Sequence, residues 1–498
     1  MSPPQSGHPR RWLILIVLCL STLVLVVDNM ALTVAVPSLA ADLSASPQDI
    51  QWILESYMLV FAGLLLTAGS LSDRYGRRRV MLVGLVLFGA ASLAATLVTG
   101  PEPLVAVRVV MGVGGALVMP STLSILITVF TDANERRKAM AAWGAVAMLG
   151  MVGGPVLGGV LIASHGWESI FGINVPIAAL AVVAALALMP ESKGPATRPD
   201  PVGAVLSMVG MSALVWTVNE LAHGVSWPAL ALTVAALTAF VIWELRTPFP
   251  MVPLTLFRDR DFAGGSLSLT LVQIGNGGLL LVLTQYLQFG LGYTPTQAGL
   301  AFIPMAIASL IFNGVGAGLG VRFGNRAVAV LGMVVMATGF GLLTVSSEGL
   351  ATLVVAQFVL GAGGGLAMPS AVAALMGTIP TEQAGVGSAL NDTIQQAGAA
   401  LGVAALGSLA TGSYAAAMPA DAAEAARHSI AIAVADPSLA DTARHAYGAA
   451  MSTAFAGAAA GVLAAAVLAL LLMRGRRPAP PTPTAAAETG TPLVGATH

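Results

Sequence analysis

Charge is what this 498-residue sequence has least of. Asp, Glu, Lys and Arg make up 9% of it, where a soluble chain carries about 25%. A water-exposed globular surface is therefore excluded. The net charge of −1 leaves no basic field for nucleic acid. Cysteine is nearly absent: Cys19 alone cannot close an internal disulfide, and inside an apolar run it reads as a packing residue. The sequence has no Cys/His spacing for a metal and no phosphate-cradling loop, so ATP-driven transport has no engine here. No constellation of nucleophile and base suggests an enzyme, and no soluble signalling module suggests a sensor. All six histidines fall outside the long apolar runs.

What is abundant is hydrocarbon. Hydrophobic residues are 56% of the chain and mean hydropathy is +0.85. Runs of about 20 apolar residues, enough to cross roughly 30 Å of lipid, recur along it. They predict an all-α membrane protein with fourteen spans: 12–37, 50–71, 80–99, 103–129, 139–163, 168–189, 201–221, 228–245, 262–290, 296–320, 326–345, 348–374, 380–411 and 447–473. The first run is too long for a secretory signal and reads as a retained span. Threading fourteen spans with segment 1–11 inside puts 19 of the 22 basic residues on the cytoplasmic side. Only Arg427 and Arg444 fall outside, and Arg108 falls within a span. The positive-inside rule thus places both termini in the cytoplasm.

A repeat divides the chain. RVVMGVGGALVMPS at 108–121 aligns with QFVLGAGGGLAMPS at 357–370, and Arg74-Tyr-Gly-Arg-Arg78 recurs as Arg322-Phe-Gly-Asn-Arg326 at nearly the same offset. The basic loops lie inside in both copies, so the repeat is parallel. The expected organisation is 6 + 2 + 6. A six-helix bundle at 12–189, a cytoplasmic linker at 190–200 and two inserted helices at 201–245 precede a second bundle at 262–473. The second bundle carries a long external loop at 412–446, Ala-rich and suited to a small helical hairpin. The Pro/Thr/Ala-rich tail 474–498 is expected to be disordered.

Charges inside spans are costly, about 2.5–3.5 kcal/mol each at the bilayer centre, and so call for a reason. Four stand out, away from the very ends of their spans: Asp28, Glu55, Arg108 and Asp392. With no histidine in any span, carboxylates must carry protons if protons move. A carboxylate shielded from water holds its proton more readily, and a nearby cation draws the proton off. Such a group holds either a proton or a cationic substrate, which is the mutual exclusion that exchange requires. Arg108 is expected to pair with Asp28 or Glu55, in a structural lock or a functional one. Asn29, Gln273, Asn276, Asn391 and Gln395 add polarity at similar depth, as cavity groups or as hydrogen-bond glue between helices.

Two motifs sharpen the reading. Gly69-Ser-Leu-Ser-Asp73-Arg74-Tyr-Gly76-Arg77-Arg-Arg follows the second span, where glycine allows a tight turn and mixed charges can form a switchable cytoplasmic network. It resembles the signature loop of the major facilitator superfamily. In the fifth span, Gly150-x-x-x-Gly154-Pro155-x-x-Gly158-Gly159 offers a smooth face for close helix packing, and it is similar to the motif of that superfamily's antiporting exporters. DNMALTVAVP at 28–37, ILESYMLVFAG at 53–63, WESIFGINVPI at 167–177 and the segment 384–409 resemble the fourteen-helix drug:proton antiporters, the QacA-type multidrug exporters. Asn391 departs from the acidic pair often found there.

The resemblance implies a major facilitator fold in the inner (plasma) membrane, working as a monomer by alternating access. It implies drug-like, cationic substrates exchanged for protons, with the proton gradient in place of any cofactor. Asp28, Glu55 and Asp392 would handle protons or cations, with Asp73 and its neighbours latching the halves. A narrow antibiotic exporter and a proton-coupled importer are the rival expectations; the fifth-span motif speaks against the importer.

Overall fold

The computed structural model describes residues 8–45, 47–194, 200–220, 225–250, 252, 254–345, 349–379 and 383–473. The expected disordered tail 474–498, residues 195–199 of the expected linker and residues 1–7 lie outside the described residues. Among the described residues there are only helices and turns. In chain order the first bundle runs through α1 (Arg11–Asp42), α2 (Pro47–Tyr75), α3 (Arg77–Ala95), α4 (Pro101–Val129), α5 (Ala133–His165), α6 (Glu168–Gly172) and α7 (Asn174–Leu188). Next come α8 (Pro201–Glu220) and α9 (Trp227–Arg246). The second set is α10 (Arg260–Gln285), α11 (Pro295–Ala301), α12 (Ile303–Phe323), α13 (Asn325–Leu343), α14 (Leu350–Met376), α15 (Ala384–Ala417), α16 (Glu424–His428), α17 (Ile430–Val434) and α18 (Ala440–Leu472).

Each of the fourteen expected spans overlies one of these helices or a consecutive pair. Among the described residues, 13 helical stretches are long and apolar enough to cross a membrane. The 33-residue α5, which opens on a run of charged residues, is not one of the 13. The external loop is shorter than expected. α15 continues to Ala417, where the Ala-rich flank favours helix until Pro419 stops it, and α18 begins at Ala440 in an Ala-rich flank of the same kind. In what remains, α16 and α17 form two short turns, and Asp436 accepts from the Ser438 N–H (2.9 Å) and hydroxyl (2.7 Å), which holds its carboxyl below the usual range.

One buried apolar core is drawn only from residues between Ile14 and Met189, and another only from residues between Val272 and Met473. Glycine sets the packing in both, in matching places. A methyl group added at Gly114 would sit 2.8 Å from the Gly84 carbonyl oxygen, and one at Gly363 would sit 2.7 Å from that of Gly332. Gly112 lies against the Tyr57 carbonyl as Gly361 lies against that of Met305. Gly154 crosses α1 at Val27 and Met30, and Gly402 crosses α10 at Ile274. Both basic turns hold a glycine at positive φ, Gly76 at 116° and Gly324 at 88°, a conformation other residues rarely adopt. Pro120 and Pro369 interrupt α4 and α14 at equivalent positions. The sequence repeat is thus a repeat of helix crossings.

The inserted pair joins the two sets from the side: α9 packs on α8, and α8 packs on both α2 and α15. Ser212 of α8 donates to the Leu59 carbonyl of α2 at 3.0 Å. Leu13, Ile16, Val83, Val183, Leu186, Val467 and Leu471 remain outward-facing and exposed, as helices solvated by lipid require.

Candidate functional site

The embedded charges separate into two places. In the first set of helices Asp28 and Arg108 are both 0% exposed and form an ion pair, Arg108 Nη1 donating to Asp28 Oδ2 at 2.7 Å. Asn174 at the start of α7 donates to Asp28 Oδ1 at 2.7 Å. Arg108 Nε donates to the Ile53 carbonyl at 3.2 Å, and its guanidinium lies over the Tyr57 ring, 4.4 Å from the centroid. Four helices therefore meet at one salt bridge. Of the two partners expected for Arg108, the structure brings it to Asp28. Glu55 is half-buried and, by helical spacing, lies on the other side of α2 from Ile53 and Tyr57. Asn174 was missed by charge counting, although it stands in the quoted 167–177 segment. An asparagine in an apolar run is the signal that could have found it.

Asp392 stands apart. It lies in the third turn of α15, 4% exposed, and none of the ion pairs among the described residues includes it. Asn391 Nδ2 donates to its Oδ1 at 3.0 Å. Asp392 Oδ2 and Asn391 Oδ1 are buried with no hydrogen-bond partner. Asn391 and Gln395 help to line a cavity of about 690 Å³, counting its open mouth. The cavity wall also includes Trp143 from α5, Asn313 from α12, Asn325 from α13 and Ser370 from α14, with Met140 and Met368 as flexible apolar surface. It is walled from both sets of helices and displays carboxamides, with no charged side chain among its lining residues. Asp28, Glu55 and Asp392 do not line it. Gln273 and Asn276 hydrogen-bond to each other within α10 at 3.1 Å, and Asn29 donates to the Met58 sulfur at 3.0 Å. None of these three borders the cavity either. Nothing local in the sequence marks Asn313, and Asn325 reads only as part of the Arg322–Arg326 repeat; the packing of α12, α13 and α14 against α5 and α15 brings both to one wall.

At the same end of the bundle, Asp73 ties the two sets together. It accepts from Arg77 Nε (2.9 Å) and Nη2 (2.8 Å), and from the first-turn N–H groups of α15, Gly385 (3.1 Å) and Val386 (3.0 Å). A carboxylate at a helix N-terminus satisfies open donors and meets the positive end of the helix dipole. Gly385 leaves room for it, since a methyl group there would collide with the Asp73 carboxyl. Gly69 similarly lets Gly385 and Ala389 approach α2. Arg77 is buried and also reaches Thr128, so it does more than set topology, while Arg74 stacks on Tyr75 at 5.4 Å. The α3 start is pinned from outside by Glu191, which accepts from the Arg78 N–H at 3.1 Å.

At the opposite end the fifth-span motif acts in two directions. Gly150, Gly154 and Gly158 face α1, against Val26, Met30 and Ala31 respectively, while Pro155 faces α11, 3.6 Å from where a Gly299 methyl would lie. Gly159, next along, is half-buried. One motif thus packs the first set tightly and touches the second.

Two sets of helices related by repeated crossings, a cavity between them and an acid latch across one end define a polytopic transporter. The chain belongs to the major facilitator superfamily: that family's model matches residues 18–272 and again 265–497. It is a multi-pass membrane protein, consistent with the plasma membrane, and its curated relatives include multidrug efflux pumps. It is 36% identical to the multidrug efflux pump LfrA of Mycolicibacterium smegmatis, over 83% of this chain and 84% of that one. It is 35% identical to the puromycin resistance protein pur8 of Streptomyces alboniger (83% and 84%) and 32% identical to the methyl viologen resistance protein SmvA of Salmonella typhimurium (82% and 84%). Among solved structures the human organic anion transporter MFSD10 superposes with a TM-score of 0.63 at 16% identity, over 93% of this chain and 100% of that one, a likeness of fold alone.

Proposed function

We propose that this protein exports drug-like, lipophilic compounds in exchange for protons, by alternating access through fourteen spans with both ends of the chain in the cytoplasm. The observation that carries the reading is Asp392, a buried carboxylate without a cationic partner, set one side chain behind the wall of a cavity shared by both sets of helices. An acid so placed costs free energy when ionised unless something compensates it, and either a proton or a nearby cation does. Substrate and proton then compete for one charge.

The cycle follows from the contacts. With the cavity open toward the cytoplasm, a lipophilic cation or hydrogen-bonding amphiphile enters between α4, α5, α14 and α15. Rocking of one set against the other breaks the Asp73 latch at one end and the Pro155 contact at the other by turns. Facing outward, Asp392 takes a proton and substrate leaves; facing inward, the proton is lost and the site is reset. Asp28, held by Arg108 and Asn174, exchanges a proton only when that triad opens, and Glu55 serves the external approach.

The relatives' names support efflux and leave breadth open. A multidrug pump speaks for many substrates; a puromycin resistance protein and the cephamycin export protein CmcT of Amycolatopsis lactamdurans, 35% identical, speak for a single antibiotic. The test is dye accumulation in everted vesicles under an imposed proton gradient. Uptake that collapses with the gradient supports antiport, and a susceptibility profile across monovalent cations, divalent cations and neutral antibiotics separates broad from narrow. Uptake that survives a protonophore would exclude it.

A further inference from the structure

Asn391 touches both parties to the exchange. Its Nδ2 is committed to Asp392 at 3.0 Å, its Oδ1 is buried with no protein partner, and the residue is among those that line the cavity. An amide is unlike on its two ends: the nitrogen only donates and the oxygen only accepts. An ionised carboxylate can only accept, so it must be met by the amide nitrogen, and the oxygen is then left without a partner, buried beside the cavity. A protonated carboxyl carries a donor, and the strongest acceptor beside it is the Asn391 oxygen.

We propose that Asn391 reports the protonation state of Asp392 to the cavity by turning its amide. With Asp392 ionised the cavity is offered a carbonyl acceptor, which favours substrates bearing N–H or O–H donors. When one proton adds to an Asp392 carboxylate oxygen, the new O–H donates to Asn391 Oδ1 and the amide NH₂ swings to the cavity. The acceptor that held the substrate is replaced by a donor, and a donor-bearing substrate is released. Only hydrogen bonds change besides the one O–H formed.

This rests on the antiport reading and adds the substrate chemistry it selects: amphiphiles with at least one hydrogen-bond donor, whether or not they are charged. Titratable groups on the helices around α15 are engaged or lie at other levels. Asp73 of α2 caps α15 below Asp392, and Arg108 of α4 holds Asp28. Asp261 lies in the first turn of α10, Arg74 in the last turn of α2, and Glu55 toward the start of α2. Glu220 of α8 accepts from Trp216, and Glu424, Arg427, His428, Asp441, Arg444, His445 and Tyr447 lie in or beside the external loop.

The test uses two neutral dyes, so that direct attraction to Asp392 does not enter: N-phenyl-1-naphthylamine, with one N–H, and its N-methyl analogue, with none. Equilibrium binding of each radiolabelled dye to the full chain in nanodiscs is measured at pH 8 and pH 5, with empty nanodiscs subtracted. The N–H dye is expected to bind about tenfold more weakly at pH 5, the worth of one hydrogen bond lost, and the N-methyl analogue to change less than about twofold. In Asn391→Leu the N–H dye is expected to lose its pH response as well. An equal response of both dyes in the wild type, or a retained response in Asn391→Leu, overturns the role of Asn391; the wild-type pair decides even if the variant does not fold. Export of the N–H dye from proteoliposomes under a pH gradient reports separately on antiport. Gradient-driven export with equal dye responses leaves antiport standing and removes the amide switch, whereas no gradient-driven export removes both.

Discussion

The two halves share their helix crossings and differ in their charge. Gly84, Gly112, Gly114 and Gly154 have counterparts in Gly332, Gly361, Gly363 and Gly402, each meeting the equivalent neighbour. The buried charges do not repeat. Arg108 corresponds to Gln357, which is 0% exposed and has neither amide atom hydrogen-bonded. Asp28, the residue after Val27, corresponds to Gly275, the residue after Ile274, and a methyl group there would press on Met336 and Phe340. Asp73 corresponds to Val321, an outward-facing apolar side chain. The first half spends its charges on internal pairing, and the second half keeps one acid unpaired beside the cavity. Backbone packing is what a duplicated fold must preserve; placement of charge is free to diverge and assigns the halves different tasks.

The comparison can be broken most severely at Arg108. Arg108→Met leaves Asp28 buried and uncompensated, a loss of about 3–5 kcal/mol. It is expected to lower the thermal unfolding midpoint in detergent sharply, and the double change Asp28→Leu with Arg108→Met to restore most of it. A double variant as unstable as the single would mean that Arg108 acts through packing.

A smaller and symmetric effect is expected from the shared crossings. Gly114→Ala and Gly363→Ala each push a methyl group against a neighbouring backbone, costing about 1–3 kcal/mol by overpacking. Equal losses from the two, by the same melts, would sharpen the claim that packing repeats; a loss confined to one half would break it. The smallest effect belongs to Gln357→Leu. Replacing an amide without hydrogen bonds by an apolar side chain of similar size should be neutral or stabilising by about 1 kcal/mol, in contrast with its counterpart Arg108.

Much of the fold is legible in the amino-acid sequence. Hydropathy locates the long helices of the two bundles, because a span must satisfy its own backbone in lipid and is therefore long and apolar, although α5 with its charged start falls outside the 13 most apolar stretches. The helix ends are less legible: alanine-rich sequence is as content in a helix outside the membrane as inside, so α15 and α18 run further than hydropathy suggests. Asp28, Arg108 and Asp392 announce themselves by their cost in lipid. Their partners do not, because α1 and α2 both lie beside α4 and either could have supplied the carboxylate. The cavity is the least legible part. Asn313 is unremarkable in sequence, Asn325 and Ser370 read only as members of the internal repeat, and the three become a wall only when α12, α13 and α14 meet α5 and α15.

The division of labour between the halves is tested most directly by proton release when substrate binds. Adding a transported dye to the purified chain in lightly buffered detergent, at a series of pH values, should liberate protons from the wild type and none from Asp392→Asn. Undiminished release from Asp392→Asn would place the exchangeable proton elsewhere, the Asp28 triad first among the candidates, and would contradict the assignment of coupling to the second half.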